Sequence, residues 1–166
     1  MRWGARETAL AATFAALYAV AVVALAPISF YVPQVRLADA LLPLSMLFGV
    51  PSIVGLALGC FISNLFGLPG WAGLVDAIFG SLANLVGCWL AYTLVRGKDS
   101  LPRYLAGCVI IAAVVTLIVG TYLSVLLSIP LMACYWAILT GSLVSVVVLG
   151  YPLLLALRTL GLRRRA

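Results

Sequence analysis

The chain has 166 residues, 66% of them apolar and 8% charged, with a mean hydropathy of +1.25, whereas soluble domains run at roughly 45–50% apolar and 25% charged. That composition excludes an ordinary soluble domain and predicts a single membrane domain over residues 1–166, with about six spans at roughly 20 residues per crossing. The formal charge of +6 sits at the chain ends and in one connection, not along a face interleaved with aromatics, so it reads as membrane topology and not as a nucleic-acid surface.

Charged residues precede the first apolar stretch, but no clear cleavage signal comes before Pro27. Thr8 to Ala26 is therefore read as a retained first span and not as a signal peptide. Ala11, Ala15 and Ala19 form one stripe on it, with Ala12 and Ala16 beside. Small residues at every fourth position let helix backbones approach closely in lipid. The stripe is either a packing face for the protein's own helices or a docking face for another membrane subunit.

Pro27 to Pro43 is polar where the chain otherwise is not, with Gln34, Arg36 and Asp39 close together. Its prolines stop the preceding helix, since each lacks an amide donor and disfavours helical geometry one residue earlier. A loop leading into a short helix, about Ala38 to Phe48, is expected, broken at Gly49-Val50-Pro51. A third helix follows from Ser52 to Phe66, with Ser52, Gly55, Gly59 and Ser63 as a second small-residue seam. Asn64 to Trp71 is rich in turn residues and ends on a tryptophan suited to an interface.

The fourth span, Gly73 to Val95, repeats Gly73, Asp76, Gly80, Asn84, Gly87 and Ala91 at steps of three or four, so one narrow face is wholly small or polar. Arg96, Lys98, Asp99 and Arg103 make the one strongly charged internal connection. The fifth span, Leu101 to Ser128, becomes more polar towards its end, with Thr116, Gly120, Thr121 and Ser124. The sixth begins at Leu131, carries Cys134, Tyr135, Trp136, Thr140 and Ser142 early, and is then aliphatic up to Tyr151-Pro152.

With six spans and both termini cytoplasmic, nine of the ten basic residues fall inside, as the positive-inside rule expects. The exception is Arg36, near Asp39, and membrane-embedded charges are functional candidates. The same topology gathers Gln34, Arg36, Asp39, Asn64, Trp71, Asp76, Tyr135 and Trp136 at the outer ends, with Asn84 deeper. Aromatics with a few directed polar groups suit a flat, hydrogen-bonding small molecule. Arg36 is expected to pair with Asp39 and order the loop, or to touch the ligand directly.

The sequence lacks a Walker loop, its one lysine is Lys98, and it has no histidine. No nucleophile lies beside a plausible base, so an enzyme is not expected. Cys60, Cys88, Cys108 and Cys134 each lie in an apolar run and read as packing residues, with no metal site.

Ala16-Leu-Tyr-Ala-Val, Gln34-Val-Arg-Leu-Ala-Asp-Ala-Leu-Leu-Pro, Gly59-Cys-Phe-Ile-Ser-Asn-Leu-Phe and Asp76-Ala-Ile-Phe-Gly-Ser-Leu-Ala-Asn-Leu resemble the QueT family of substrate-binding (S) components of energy-coupling factor (ECF) transporters. The likeness is clearest over residues 10 to 95. It implies a six-helix, multi-pass protein of the cell membrane that captures a queuosine precursor, a 7-deazaguanine base or nucleoside. It further implies a transmembrane T component and two ABC ATPases as partners, which use the ATP, so that this chain needs no cofactor. In that family an alanine-rich first helix docks the partner, which matches Ala11, Ala15 and Ala19. Asp39 or Asp76 is then expected to face the N–H edge of the base, with Gln34, Asn64 and Asn84 as polar rim and Trp71, Tyr135 or Trp136 stacking on it. The competing expectations are another flat vitamin or nucleobase-like ligand, or a membrane scaffold that transports nothing.

Overall fold

The computed structural model describes residues 3–25 and 36–161. Gln34, most of the polar loop before Arg36 and the last three arginines lie outside the described residues. Among those described, the regular structure is helical throughout. We number the helices α1 (Ala5–Ala24), α2 (Leu37–Phe48), α3 (Val50–Asn64), α4 (Trp71–Val95), α5 (Leu101–Leu127) and α6 (Leu131–Thr159). The helices α1, α4, α5 and α6 are long and apolar enough to cross a membrane, while α2 and α3 are shorter. At about 1.5 Å per residue, the 15 residues of α3 reach about 22 Å, less than the roughly 30 Å of a hydrocarbon core.

Two stretches depart from α geometry. Leu37–Leu44, the first part of α2, is a 3-10 helix with Pro43 inside it. A proline cannot donate to the carbonyl four residues back, and the tighter winding suits a segment with that bond missing. In α6, Leu143–Gly150 is wound as a π-helix, just before Pro152. The ring of Pro152 needs room at the carbonyl of Val148, and a wider turn upstream provides it. The two irregular stretches pack on each other. A β-carbon added to Gly150 would stand 2.9 Å from the Ala40 carbonyl oxygen and from Pro43 Cγ.

Small residues draw α1 and α3 together. A β-carbon on Gly55 would meet the Ala11 carbonyl oxygen at 2.3 Å, and one on Gly59 would meet that of Ala15 at 2.6 Å. Residue numbers rise together along this contact, so α1 and α3 run parallel. The sharp reversal between α2 and α3 is at Gly49, whose φ of 73° lies in the region glycine tolerates best. Bonds between the end of one helix and the start of the next (Asn64 to Asp76, Thr121 to Tyr135) show consecutive antiparallel packing. One end of the bundle therefore carries Arg6, Arg96, Lys98, Asp99, Arg103 and Arg158, with Arg158 Nε 3.0 Å from Asp99 Oδ1. The other end carries Arg36, Asp39 and Asp76. Tyr18, Leu42, Ile53, Leu56, Tyr104 and Ile111 are fully buried in the core between the ends.

Candidate functional site

Helices α1 to α5 and the residue before α2 send hydrogen-bonding side chains into one buried cluster, and α6 adds Ser142 to the wall of its cavity. Arg36 enters just before α2, Asp39 from its first turn, Tyr18 from the second half of α1, Asn64 from the end of α3, Asp76 and Asn84 from α4, and Tyr122 from late in α5. Arg36, Asp39, Asn64, Asp76 and Asn84 are all buried, as is Tyr18. Polar groups withdrawn from water need internal partners, and the cluster supplies them in two linked sets.

The first set surrounds Asp76. Arg36 Nη2 donates to both carboxylate oxygens, at 3.1 Å to Oδ2 and 3.3 Å to Oδ1. The Tyr122 hydroxyl donates to Oδ1, and its ring packs against Phe79 with centroids 5.6 Å apart. Asn64 Nδ2 donates to the backbone carbonyl of Asp76 at 3.0 Å and lies 3.6 Å from Cys60 Sγ. Gly80 makes this arrangement feasible, because a β-carbon there would stand 2.7 Å from Asn64 Nδ2.

The second set surrounds Asp39. The Tyr18 hydroxyl donates to Asp39 Oδ1 at 2.5 Å and accepts from Asn84 Nδ2 at 3.1 Å. Because Asn84 occupies the acceptor side of the tyrosine oxygen, the Tyr18 proton points at Asp39.

The Arg36 ion pair differs from the sequence expectation. Asp39 is only three residues away, but the guanidinium bonds to Asp76, forty residues on. Gly80 of α4 lies against Asn64 and Cys60 of α3 and beside the Arg36 guanidinium, and Asp76 on the same helix is within its reach, while Asp39 turns towards α1 and meets Tyr18.

Between the two sets lies a cavity of about 10 Å³ lined by Arg36, Asp39, Gly80, Asn84, Val115, Val119, Ile138 and Ser142. That is room for about one water, so a larger solute requires the wall to move outward. A larger groove of about 370 Å³ lies between α3 and α4, bounded by Val54, Ala57, Leu58, Phe61, Ile78, Leu82 and Leu85 with Ser81. It is apolar and faces outward, as a lipid-exposed surface does, and it has no convergent polar groups.

Arg36, Asp39, Asn64, Asp76 and Asn84 thus come together in the structure. Trp71 and Trp136 do not join them, being 72% and 68% exposed. Tyr135 is half-buried, its hydroxyl 2.9 Å from that of Thr121 and its ring over Gly120. Tyr18 was not singled out by the sequence, although a buried tyrosine hydroxyl in an alanine-rich helix requires a partner. Tyr122 was part of the polar second half of the fifth span but carried no assigned role.

The docking stripe also lies differently. Ala11 is buried and Ala15 and Ala19 are half-buried, the first two against Gly55 and Gly59 of α3. The alanines that α1 leaves exposed are Ala5, Ala9, Ala12, Ala16 and Ala24. Among the described residues no group of histidine, cysteine, aspartate and glutamate side chains is placed to hold a metal.

Comparison with curated proteins and with solved structures gave no match. The family comparison did: the model described as QueT transporter matches residues 8–159, nearly the whole chain, and the chain belongs to the QueT transporter family.

Proposed function

We propose that this protein is the substrate-capture (S) component of an ECF-type ABC importer and that it binds a queuosine precursor, a 7-deazaguanine base or nucleoside. The carrying observation is the buried polar cluster at one end of the bundle, where a carboxylate, Asp39, lines a cavity walled by Val115, Val119 and Ile138. A carboxylate meets paired N–H donors of a guanine-like edge, and aliphatic walls cover its faces. Asp76 holds Arg36 and shapes the cluster, so Asp39 takes the ligand-facing role. Gln34 and Asn64 complete the polar rim, and Trp71, Tyr135 or Trp136 reach the base only if their helices move on binding.

Uptake is powered by a T component and two ATPases in the cell membrane, with both termini of this chain cytoplasmic. The exposed alanines Ala9, Ala12 and Ala16 provide the partner-facing surface of α1, beside the stripe of Ala11, Ala15 and Ala19 that packs inward. This chain acts without chemistry of its own on the ligand.

The test is mass spectrometry of small molecules that co-purify with the solubilised protein, followed by binding measurements with a panel of 7-deazaguanines and other flat vitamins and bases. A bound 7-deazaguanine supports the reading. A tightly bound flat solute of another kind replaces the substrate and keeps the S-component role, while no bound solute with persistent co-purification of a membrane partner favours a scaffold.

A further inference from the structure

The cavity beside the cluster has two unlike sides. Arg36, Asp39, Gly80 and Asn84 form one, and Val115, Val119, Ile138 and Ser142, from α5 and α6, form the other. Aliphatic side chains pack without directional bonds, so they cover the cavity but do not fix that wall in one position. Tyr122 supplies the direction. Val115, Val119 and Tyr122 share one face of α5, at steps of four and three. The Tyr122 hydroxyl donates to Asp76 Oδ1, and its ring packs on Phe79 of the same α4 helix. Among the described residues it is the one α5 side chain that hydrogen-bonds into the cluster. The hydroxyl of Thr116 bonds to the Ala112 carbonyl, that of Thr121 to Leu117 and Tyr135, and that of Ser124 to Ile129.

The two halves of α5 are held differently. In the half towards Leu101, Gly107 lies against Met46 and Ala91, and Gly87 of α4 comes so close that a β-carbon there would stand 3.4 Å from Ile111 Cα. In the half towards Leu127, Gly120 faces α6 instead, where a β-carbon would stand 2.5 Å from the Tyr135 ring, and the hydroxyls of Thr121 and Tyr135 are 2.9 Å apart. This half of α5 is thus fastened to the start of α6, and its polar tie to the cluster is Tyr122. In α6 the π-wound Leu143–Gly150 begins directly after Ser142, so the part of that helix in the wall meets the rest at a non-α joint. Release of the tie leaves its acceptor in place, because both Asp76 oxygens still receive Arg36 Nη2.

We infer that Tyr122 is a latch. Its bond to Asp76 holds the wall of α5 and α6 shut over the cavity, and its release lets the joined ends of the two helices swing away together about the contact of Gly87 with Ile111. Tyr122 is a positioning residue: it acts on the wall, and through the wall on access to the cavity. Any solute larger than a water then enters or leaves only while the latch is open. This goes beyond the function proposed above and holds whichever solute the cavity takes.

Thiol accessibility in the purified, solute-free, full-length protein tests this, so the outcome is independent of the substrate assigned above. Ser142→Cys puts a thiol on the α6 side of the cavity, while the native Cys88 and Cys108, both fully buried, report general loosening. The probe is methyl methanethiosulfonate, with each site quantified by peptide mass spectrometry. Adding Tyr122→Phe, which removes one hydrogen bond and keeps the ring, is expected to speed modification at position 142 at least about tenfold. The rates at Cys88 and Cys108 are expected to stay unchanged. Tyr135→Phe removes a bond inside the wall and is expected to leave position 142 unchanged as well. The native Cys60, 3.6 Å from Asn64 Nδ2, gives the same comparison in Tyr122→Phe alone, so the test does not depend on the folding of Ser142→Cys. Equal rates with and without Tyr122→Phe overturn the inference. A matching rise at Cys88 and Cys108, or an equal effect of Tyr135→Phe, also overturns it.

Discussion

Asp39 and Asp76 are the same residue type in the same buried cluster, but their partners assign them different work. Asp76 neutralises Arg36 and accepts from Tyr122, so Asp76→Asn leaves a buried guanidinium without its counter-ion. Breaking a buried pair in this way costs about 3–5 kcal/mol. A fall in the thermal midpoint on the order of 10 °C is expected for a chain of this size, read by scattering or intrinsic fluorescence of the purified protein. Asp39→Asn keeps an oxygen for the Tyr18 hydroxyl and leaves the Arg36–Asp76 pair in place, so its midpoint is expected to stay within a few degrees of wild type while ligand affinity falls. Tyr18→Phe removes both the donor to Asp39 and the acceptor for Asn84. Leaving such groups unsatisfied costs about 1–3 kcal/mol, and a titration is expected to show roughly tenfold weaker precursor binding. At this scale the sequence was informative wherever polarity interrupted an apolar helix, as at Asp76 and Asn84. It was silent on Tyr18, because nothing local distinguishes a tyrosine that reaches a carboxylate from one that only fills space. Trp71 and Trp136 show the reverse problem, since an interfacial tryptophan and a stacking one have the same sequence signature.

Among the elements, helix positions followed from apolar runs and their Gly and Pro boundaries, and the chain folds close to those limits. Pattern alone did not disclose the 3-10 winding of Leu37–Leu44 or the π winding of Leu143–Gly150, because both keep the apolar character of a regular span. Nor did it settle which alanines of α1 pack inward, since stripes one position apart differ only by rotation of the helix. The structure separates them, and the separation is testable. Gly59→Leu drives a side chain into the Ala15 backbone, so a large loss of folded protein in size-exclusion chromatography is expected. Ala12→Leu and Ala16→Leu project outward and are expected to leave folding and ligand binding unchanged while reducing co-purification of the T component.

Across the whole molecule, charge is divided between the two ends of the bundle. The described basic residues other than Arg36 lie at one end, and the cluster of Arg36, Asp39 and Asp76 lies at the other. In the proposed topology the basic end faces the cytoplasm, as the positive-inside rule expects, and the cluster faces the outer side. The four native cysteines are buried, so background labelling is low. Lys98→Cys is expected to react with a membrane-impermeant maleimide only after the membrane is opened, and Leu68→Cys to react in intact cells. The reverse pattern would invert the topology. This division of charge was legible in the sequence. The pairing of Arg36 with Asp76, and of Asp39 with Tyr18, was not, because it depends on helix packing that brings residues forty and twenty-one positions apart into contact.

The most direct test of the account is equilibrium binding of a 7-deazaguanine base to the purified wild-type, Asp39→Asn and Asp76→Asn proteins, with folding checked in parallel. The account predicts saturable binding by the wild type and at least tenfold weaker binding by folded Asp39→Asn. It predicts that Asp76→Asn loses stability together with affinity. Unchanged affinity in both variants would contradict it.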